Sequence, residues 1–95
     1  MLNTQHLITF GVLVRTGSFT KTAKTLGLTQ PAVSQHIQKL EAELGEILLI
    51  RRGRTTEVSE AGKVLLGHIK ELEACYNRFS VSWSNYQKEK LAELS

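Results

Sequence analysis

The chain predicts a mainly α-helical fold, three helices and a two-stranded hairpin followed by one long helix. Three observations carry this. Residues Ser18 to Gly45, SFTKTAKTLGLTQPAVSQHIQKLEAELG, read as two amphipathic helices joined by a turn of about three residues. Two β-prone runs flank the sequence RRGR immediately afterwards. From Ser59 onward no proline interrupts a chain whose apolar residues keep helical spacing as far as Tyr86.

The first helix starts at Asn3 or Thr4, either of which can cap it, and ends near Gly17; Leu7, Phe10, Leu13 and Val14 recur along it at helical spacing. It reads as a scaffold helix behind the helix pair. Gly11 inside it costs about 1 kcal/mol against Ala and marks a close helix contact. His6 has no ligand-like partner nearby in sequence and is expected on the surface.

Ser18 is the N-cap expected for the second helix, whose Phe19, Ala23 and Leu26 share a face and which stops at Gly27. Thr29 then caps a third helix. Pro31 falls in its first turn, where a missing N–H is harmless. On this helix Val33, Ile37, Leu40 and Leu44 form the stripe expected to be buried. Pro31, Ser34, Gln35, Gln38 and Ala42 lie opposite, a small, amide-rich face without acid. On an isolated helix such a face is simply polar surface. As the second member of a helix-turn-helix it matches base readout in a major groove, where Gln pairs bidentately with adenine.

Ile47 to Ile50 form an apolar, strand-like run, RRGR follows, and Thr55, Thr56 and Val58 make the returning strand, with the glycine where a tight hairpin needs one. This is a wing, and the fold class is therefore a winged helix-turn-helix followed by a long helix. Arg51, Arg52 and Arg54 at its tip are the strongest local cluster of charge. Alone, such a cluster is a solvated turn; beside a recognition helix it suits phosphate or the minor groove.

Ser59 caps the last helix, with Glu60 favourably placed in its first turn. Leu65, Ile69, Leu72, Tyr76, Phe79, Trp83 and Tyr86 follow at alternating gaps of four and three, a heptad seam. The domain's own core can cover the N-terminal part of this seam, but a domain ending near residue 58 cannot bury Tyr76, Phe79, Trp83 and Tyr86. A second chain is the favoured cover for the aromatic remainder; a further domain of the same polypeptide or crystal neighbours are the alternatives. The expected organisation is residues 1–58 as the winged domain, 59–90 as the linker and dimerisation helix, and 91–95 as a frayed end.

Charge agrees with the nucleic-acid reading. Between Met1 and Leu40 there are four bases (Arg15, Lys21, Lys24, Lys39) and no acid, and Asp is absent from the whole chain. The net charge of +3 is carried by residues 1–58, whereas the remainder is balanced; this one-sided basicity suits a phosphate backbone. The 95 residues make one domain, able to bury about 60% of its unfolded surface. Cys75 is the single cysteine, so no intramolecular disulfide and no cysteine metal site is expected, and a reduced, cytoplasmic compartment follows. No run is long enough to span a bilayer, and no segment pairs a Lys-rich face with large exposed apolar residues. Catalysis is not expected: the three histidines lie far apart in sequence and Cys75 has no evident base.

Taken together, the N-terminal helix, GSFTKTAKTLGLTQPAVSQHIQKLEAELG, the arginine wing and TEVSEAG resemble the DNA-binding domain of the LysR-type transcriptional regulators over roughly residues 1 to 90. The resemblance implies a long linker helix paired antiparallel with that of a second subunit, and binding of double-stranded DNA at a pseudo-palindromic promoter site. It implies that Gln30, Pro31, Ser34 and Gln35 face the DNA, that the wing arginines run along the backbone or minor groove, and that Ser18 and Thr20 contact phosphate. It implies a homodimer, with a tetramer as the larger assembly of a full-length form, in the cytoplasm on the bacterial nucleoid, without a cofactor.

Two residues depart from the family pattern: Gln35 stands where Arg is frequent, and Leu49 where Phe is frequent at the wing's base. The chain also stops at the linker helix, so no effector-binding domain and no small-molecule sensor site is expected in it. The competing function is a winged-helix protein-interaction module that dimerises through the long helix without specific DNA binding; the acid-free N-terminal half speaks against it.

Overall fold

The computed structural model describes residues 2–94. Helices α1 (Thr4–Thr16), α2 (Phe19–Leu26) and α3 (Gln30–Leu44) are followed by strands β1 (Leu49–Arg52) and β2 (Thr55–Val58) and by helix α4 (Glu60–Leu94). Asn3 is the cap of α1, its side chain accepting the Gln5 N–H at 2.8 Å. Ser18 and Thr29 cap α2 and α3 as their residue types dictate, accepting from the Lys21 and Ala32 N–H groups at 3.2 Å each. The α2–α3 turn is closed at Gly27, whose φ of 67° is the left-handed conformation; the Leu28 N–H reaches back to the Ala23 carbonyl at 2.8 Å and so satisfies a carbonyl the helix end would orphan.

The core is built by α1 and α3 crossing under the wing. Phe10, Leu13, Ile37, Leu40, Leu48 and Ile69 form one buried cluster, with Leu7, Val14, Phe19, Leu49, Val58 and Leu65 packed around it. Val33 is fully buried as well, but Leu44 is 38% exposed, because α3 outruns the body by its last turn. Polar groups at the α1–α2 corner are internally paired: Thr22 Oγ1 donates to the Ser18 carbonyl at 2.7 Å and lies 2.8 Å from Thr16 Oγ1. These bonds fix the start of α2 relative to α1.

Strands β1 and β2 pair antiparallel, Leu49 with Val58 and Arg52 with Thr55. Gly53 is at φ 59° and among the described residues only glycines have positive φ, the sign pattern of a type II′ turn with Arg54 second. Two anchors hold the wing to the body. Glu41 of α3 accepts the Leu48 N–H at 2.8 Å and the Leu49 N–H at 3.4 Å. Ser59 donates its N–H to the Leu48 carbonyl at 2.9 Å while its Oγ accepts the Gly62 N–H at 2.9 Å, which caps α4. Gly62 lies so close beneath β1 that a Cβ there would sit 2.6 Å from the Leu48 oxygen and 2.7 Å from Val58 Cγ1.

The long helix refines the expected organisation. The domain body does not end at residue 58: Ala61, Leu65, Leu66 and Ile69 close its core. Ile69 is 2% exposed within its own domain, against α1, where a Cβ on Gly11 would stand 3.3 Å from Ile69 Cγ2; it is therefore removed from the free seam. The C-terminal end is helical through Leu94, since Lys88 to Leu94 is composed of good helix formers; Ser95 and Met1 lie outside the described residues. From Glu71 to Leu94 every residue is exposed, so α4 leaves the body as an arm, and the molecule measures 63 × 25 × 20 Å.

Candidate nucleic-acid interface

Helix α3 turns its apolar stripe inward and leaves Gln30, Pro31, Gln35 and Gln38 exposed, with Ser34 half-buried at the edge. No carboxylate stands among them, because the first acid of the chain, Glu41, is the one occupied by the wing's N–H groups. The face therefore offers uncharged donors and acceptors in a row, the chemistry that base edges require. Ser18 is half-buried and engaged as a cap; Thr20 is exposed in the first turn of α2.

The three wing arginines do not form one cluster. Strand alternation places Leu49 and Arg51 on the side facing the body and Ile50 and Arg52 on the other. Arg51 lies over the Phe19 ring, its guanidinium carbon 5.6 Å from the ring centre. Arg52 pairs diagonally with Glu57, Nε to Oε2 3.6 Å, both side chains exposed; this surface contact is worth little. Arg54 occupies the turn and has no ion-pair partner among the described residues. Between wing and α3 runs a cleft of about 250 Å³ lined by Phe19, Ser34, Ile37, Gln38, Glu41, Leu49 and Arg51.

The arm presents Leu72, Tyr76, Phe79, Trp83 and Tyr86 at exposures of 50% to 67%. Successive aromatic rings touch along it, Tyr76–Phe79 at 6.3 Å, Phe79–Trp83 at 6.0 Å and Trp83–Tyr86 at 5.2 Å between centroids. Among the described residues nothing covers this continuous apolar stripe. Leu65 and Ile69, the first two seam positions, instead belong to the domain body.

Two features escaped sequence reasoning. His6 is buried, not superficial: its ring packs against His36 of α3, centroids 4.6 Å apart. The signal was available, since His6 stands one turn before Phe10 on the α1 core stripe. His36 Nδ1 is hydrogen-bonded to Thr9 Oγ1 at 2.8 Å, and the same Oγ1 lies 2.9 Å from the Gln5 carbonyl oxygen. Burial holds the His36 imidazole below its ordinary pKa of 6.5, reinforced by His6 and Lys39. The Phe19–Arg51 stacking had no sequence signal, because it joins two elements 32 positions apart.

A helix pair with an uncharged, acid-free outer face beside a basic hairpin defines the class of helix-turn-helix regulatory proteins. The chain belongs to the lysR family of bacterial regulatory helix-turn-helix proteins, whose family model matches residues 4–63. It is 35% identical over 92 residues to the HTH-type transcriptional regulator TdcA of Escherichia coli K12, covering 97% of this chain and 30% of TdcA. It is 41% identical over 69 residues to the transcriptional activator CmpR of Synechocystis, covering 73% of this chain and 23% of CmpR. Its fold superposes on the BenM DBD in complex with catB site 1 DNA with a TM-score of 0.81 at 31% identity, covering 87% of this chain and 93% of that one. The full-length LTTR LysG of Corynebacterium glutamicum gives 0.81 at 26% identity, over 90% of this chain and 29% of LysG. These relatives are transcriptional regulators, not enzymes. The chain thus spans less than a third of the length of the regulators TdcA and CmpR. Among the described residues no helix is long and apolar enough to cross a membrane.

Proposed function

We propose that this chain is the sequence-reading unit of a transcriptional regulator and binds a pseudo-palindromic site on duplex DNA as a homodimer. In this reading α3 enters the major groove, with Gln30, Pro31, Ser34, Gln35 and Gln38 toward the base edges, and Gln35 as the principal base contact. Ser18 and Thr20 meet phosphate near the start of α2, and Arg51, Arg52 and Arg54 follow the backbone or the minor groove. Leu72, Tyr76, Phe79, Trp83 and Tyr86 pair with the same residues of a second chain, and a full-length form assembles further into a tetramer. The work is cytoplasmic, on the nucleoid.

The observation that carries the reading is the exposed face of α3, amide-rich and free of carboxylate in a half-chain that contains no acid before Glu41. The solved DNA complexes of the BenM and CbnR domains, superposing at TM-scores of 0.81 and 0.78, support DNA binding. The test is a salt-dependent titration against a random pool of duplex DNA with the bound fraction sequenced. Enrichment of an inverted repeat is expected. Binding without enrichment refutes sequence-specific reading, and no binding at low salt refutes DNA binding altogether in favour of a protein-interaction module built on the aromatic arm.

A further inference from the structure

Of the three wing arginines only Arg51 is held toward the recognition helix. Its strand position turns it to the body side, where its guanidinium carbon lies over the Phe19 ring at 5.6 Å from the ring centre, and it lines the cleft that Ser34 and Gln38 line from the α3 side. Phe19 remains half-buried, so its ring face is open to receive the cation. Among the described residues Arg51 forms no ion pair. Glu57 is engaged with Arg52 on the opposite face of the hairpin, and Glu41, the one carboxylate lining the cleft, accepts the Leu48 and Leu49 N–H groups. A cation–π contact uses none of the guanidinium N–H donors for an ordinary hydrogen bond, so they stay available to an acceptor.

We propose that Phe19 is a positioning residue for DNA binding: it holds Arg51 in the cleft between wing and α3, and Arg51 thereby becomes the wing arginine that grips the phosphate backbone beside Ser34 and Gln38. The inference rests on the DNA-binding reading given above. It separates the arginines by placement: Arg52 lies on the opposite face of the hairpin beside Glu57, and Arg54 lies in the turn.

The test uses the whole chain and a random-sequence duplex, with affinity measured over a range of salt by fluorescence anisotropy. Arg51→Ala is expected to weaken binding about fivefold to tenfold and to lower the slope of log K against log salt by about 1. Phe19→Leu, which keeps apolar bulk but removes the ring face, is expected to weaken binding about threefold with a reduced slope, and Phe19→Tyr to bind as the parent does. The Phe19→Leu/Arg51→Ala double variant should be no weaker than Arg51→Ala alone, because the ring acts only through the guanidinium. Multiplying losses in the double variant, or parental affinity and slope for Phe19→Leu, overturn the proposal. Urea melts establish that the variants fold. If Phe19→Leu does not, the comparison of Arg51→Ala with Arg52→Ala decides, and an equal or greater loss for Arg52→Ala overturns it. A parent chain that binds no duplex refutes the DNA reading and this inference together; a parent that binds while Arg51→Ala is unaffected refutes only the inference.

Discussion

Adding one methyl group at Gly62 should loosen the junction between wing and long helix. In an open helix Gly→Ala stabilises by about 1 kcal/mol through backbone entropy. At Gly62 the new Cβ meets the Leu48 carbonyl oxygen at 2.6 Å and Val58 Cγ1 at 2.7 Å, well inside contact distance. The Val58 methyl can turn aside, but the carbonyl is backbone and is pinned by the Ser59 N–H at 2.9 Å, so α4 or β1 must shift. Overpacking of this kind costs about 1–3 kcal/mol, which set against the propensity gain leaves a net loss of up to about 2 kcal/mol. Gly67, five residues along the same helix, has nothing within 4 Å of its Cβ position, so Gly67→Ala should stabilise by up to about 1 kcal/mol. Urea unfolding followed by circular dichroism at matched protein concentration gives both signs in one experiment. Thermal midpoints should move in opposite directions by several degrees, at about 4–8 °C per kcal/mol for a domain of this size. Equal or greater stability for Gly62→Ala would refute the close approach of α4 to β1.

Four further outcomes follow from the geometry. Gln35→Ala should weaken binding to the selected site by about 1–3 kcal/mol while sparing random DNA, and equal loss on both would remove Gln35 from base reading. Arg54→Ala should weaken all sequences alike and flatten the salt dependence by about one ion; an unchanged slope would take the wing tip off the DNA. Because the folded state holds His36 below 6.5, it binds fewer protons than the unfolded chain near that pH. The associated stability is therefore complete above 6.5 and is lost as pH falls from there toward the lowered value. Urea midpoints measured from pH 7.5 down to 5.5 should decline for the parent and decline less for His36→Gln; parallel profiles would remove His36 as the source. Finally, Trp83 emission should move to longer wavelength as the chain is diluted through dimer dissociation, and a constant spectrum would place Trp83 outside the interface.

Local chemistry made the helices and the hairpin legible. Ser18, Thr29 and Ser59 announce helix starts because their hydroxyls have few better partners than an exposed N–H, and Gly53 announces the turn because a side chain there is strained. The outer face of α3 was legible for the same reason, since one helix fixes its own faces. What was not legible depends on pairs of elements. Periodicity assigns Ile69 to a seam but does not say whether α1 or another chain covers it. Composition places three arginines on a hairpin, yet only the strand register and the position of Phe19 send Arg51 one way and Arg52 the other. His6 is buried because its spacing from Phe10 puts it on the core stripe of α1, and which ring it meets there depends on α3.

The arm beyond Ile69 has a mechanical consequence. The 25 residues from Lys70 to Leu94 extend ~37 Å at ~1.5 Å per residue, and the last side chain of α4 locked in the domain core is Ile69, against Gly11. A rod clamped at one end is a lever: a tilt of about 5° at that clamp displaces its far end by ~3 Å, roughly the rise of one base pair. The absence of a side chain at Gly11 thus sets the angle at which the lever leaves the body. In the proposed dimer that angle sets the spacing between two recognition helices, and a bulkier residue at position 11 would be read out as a changed preference for the distance between half-sites.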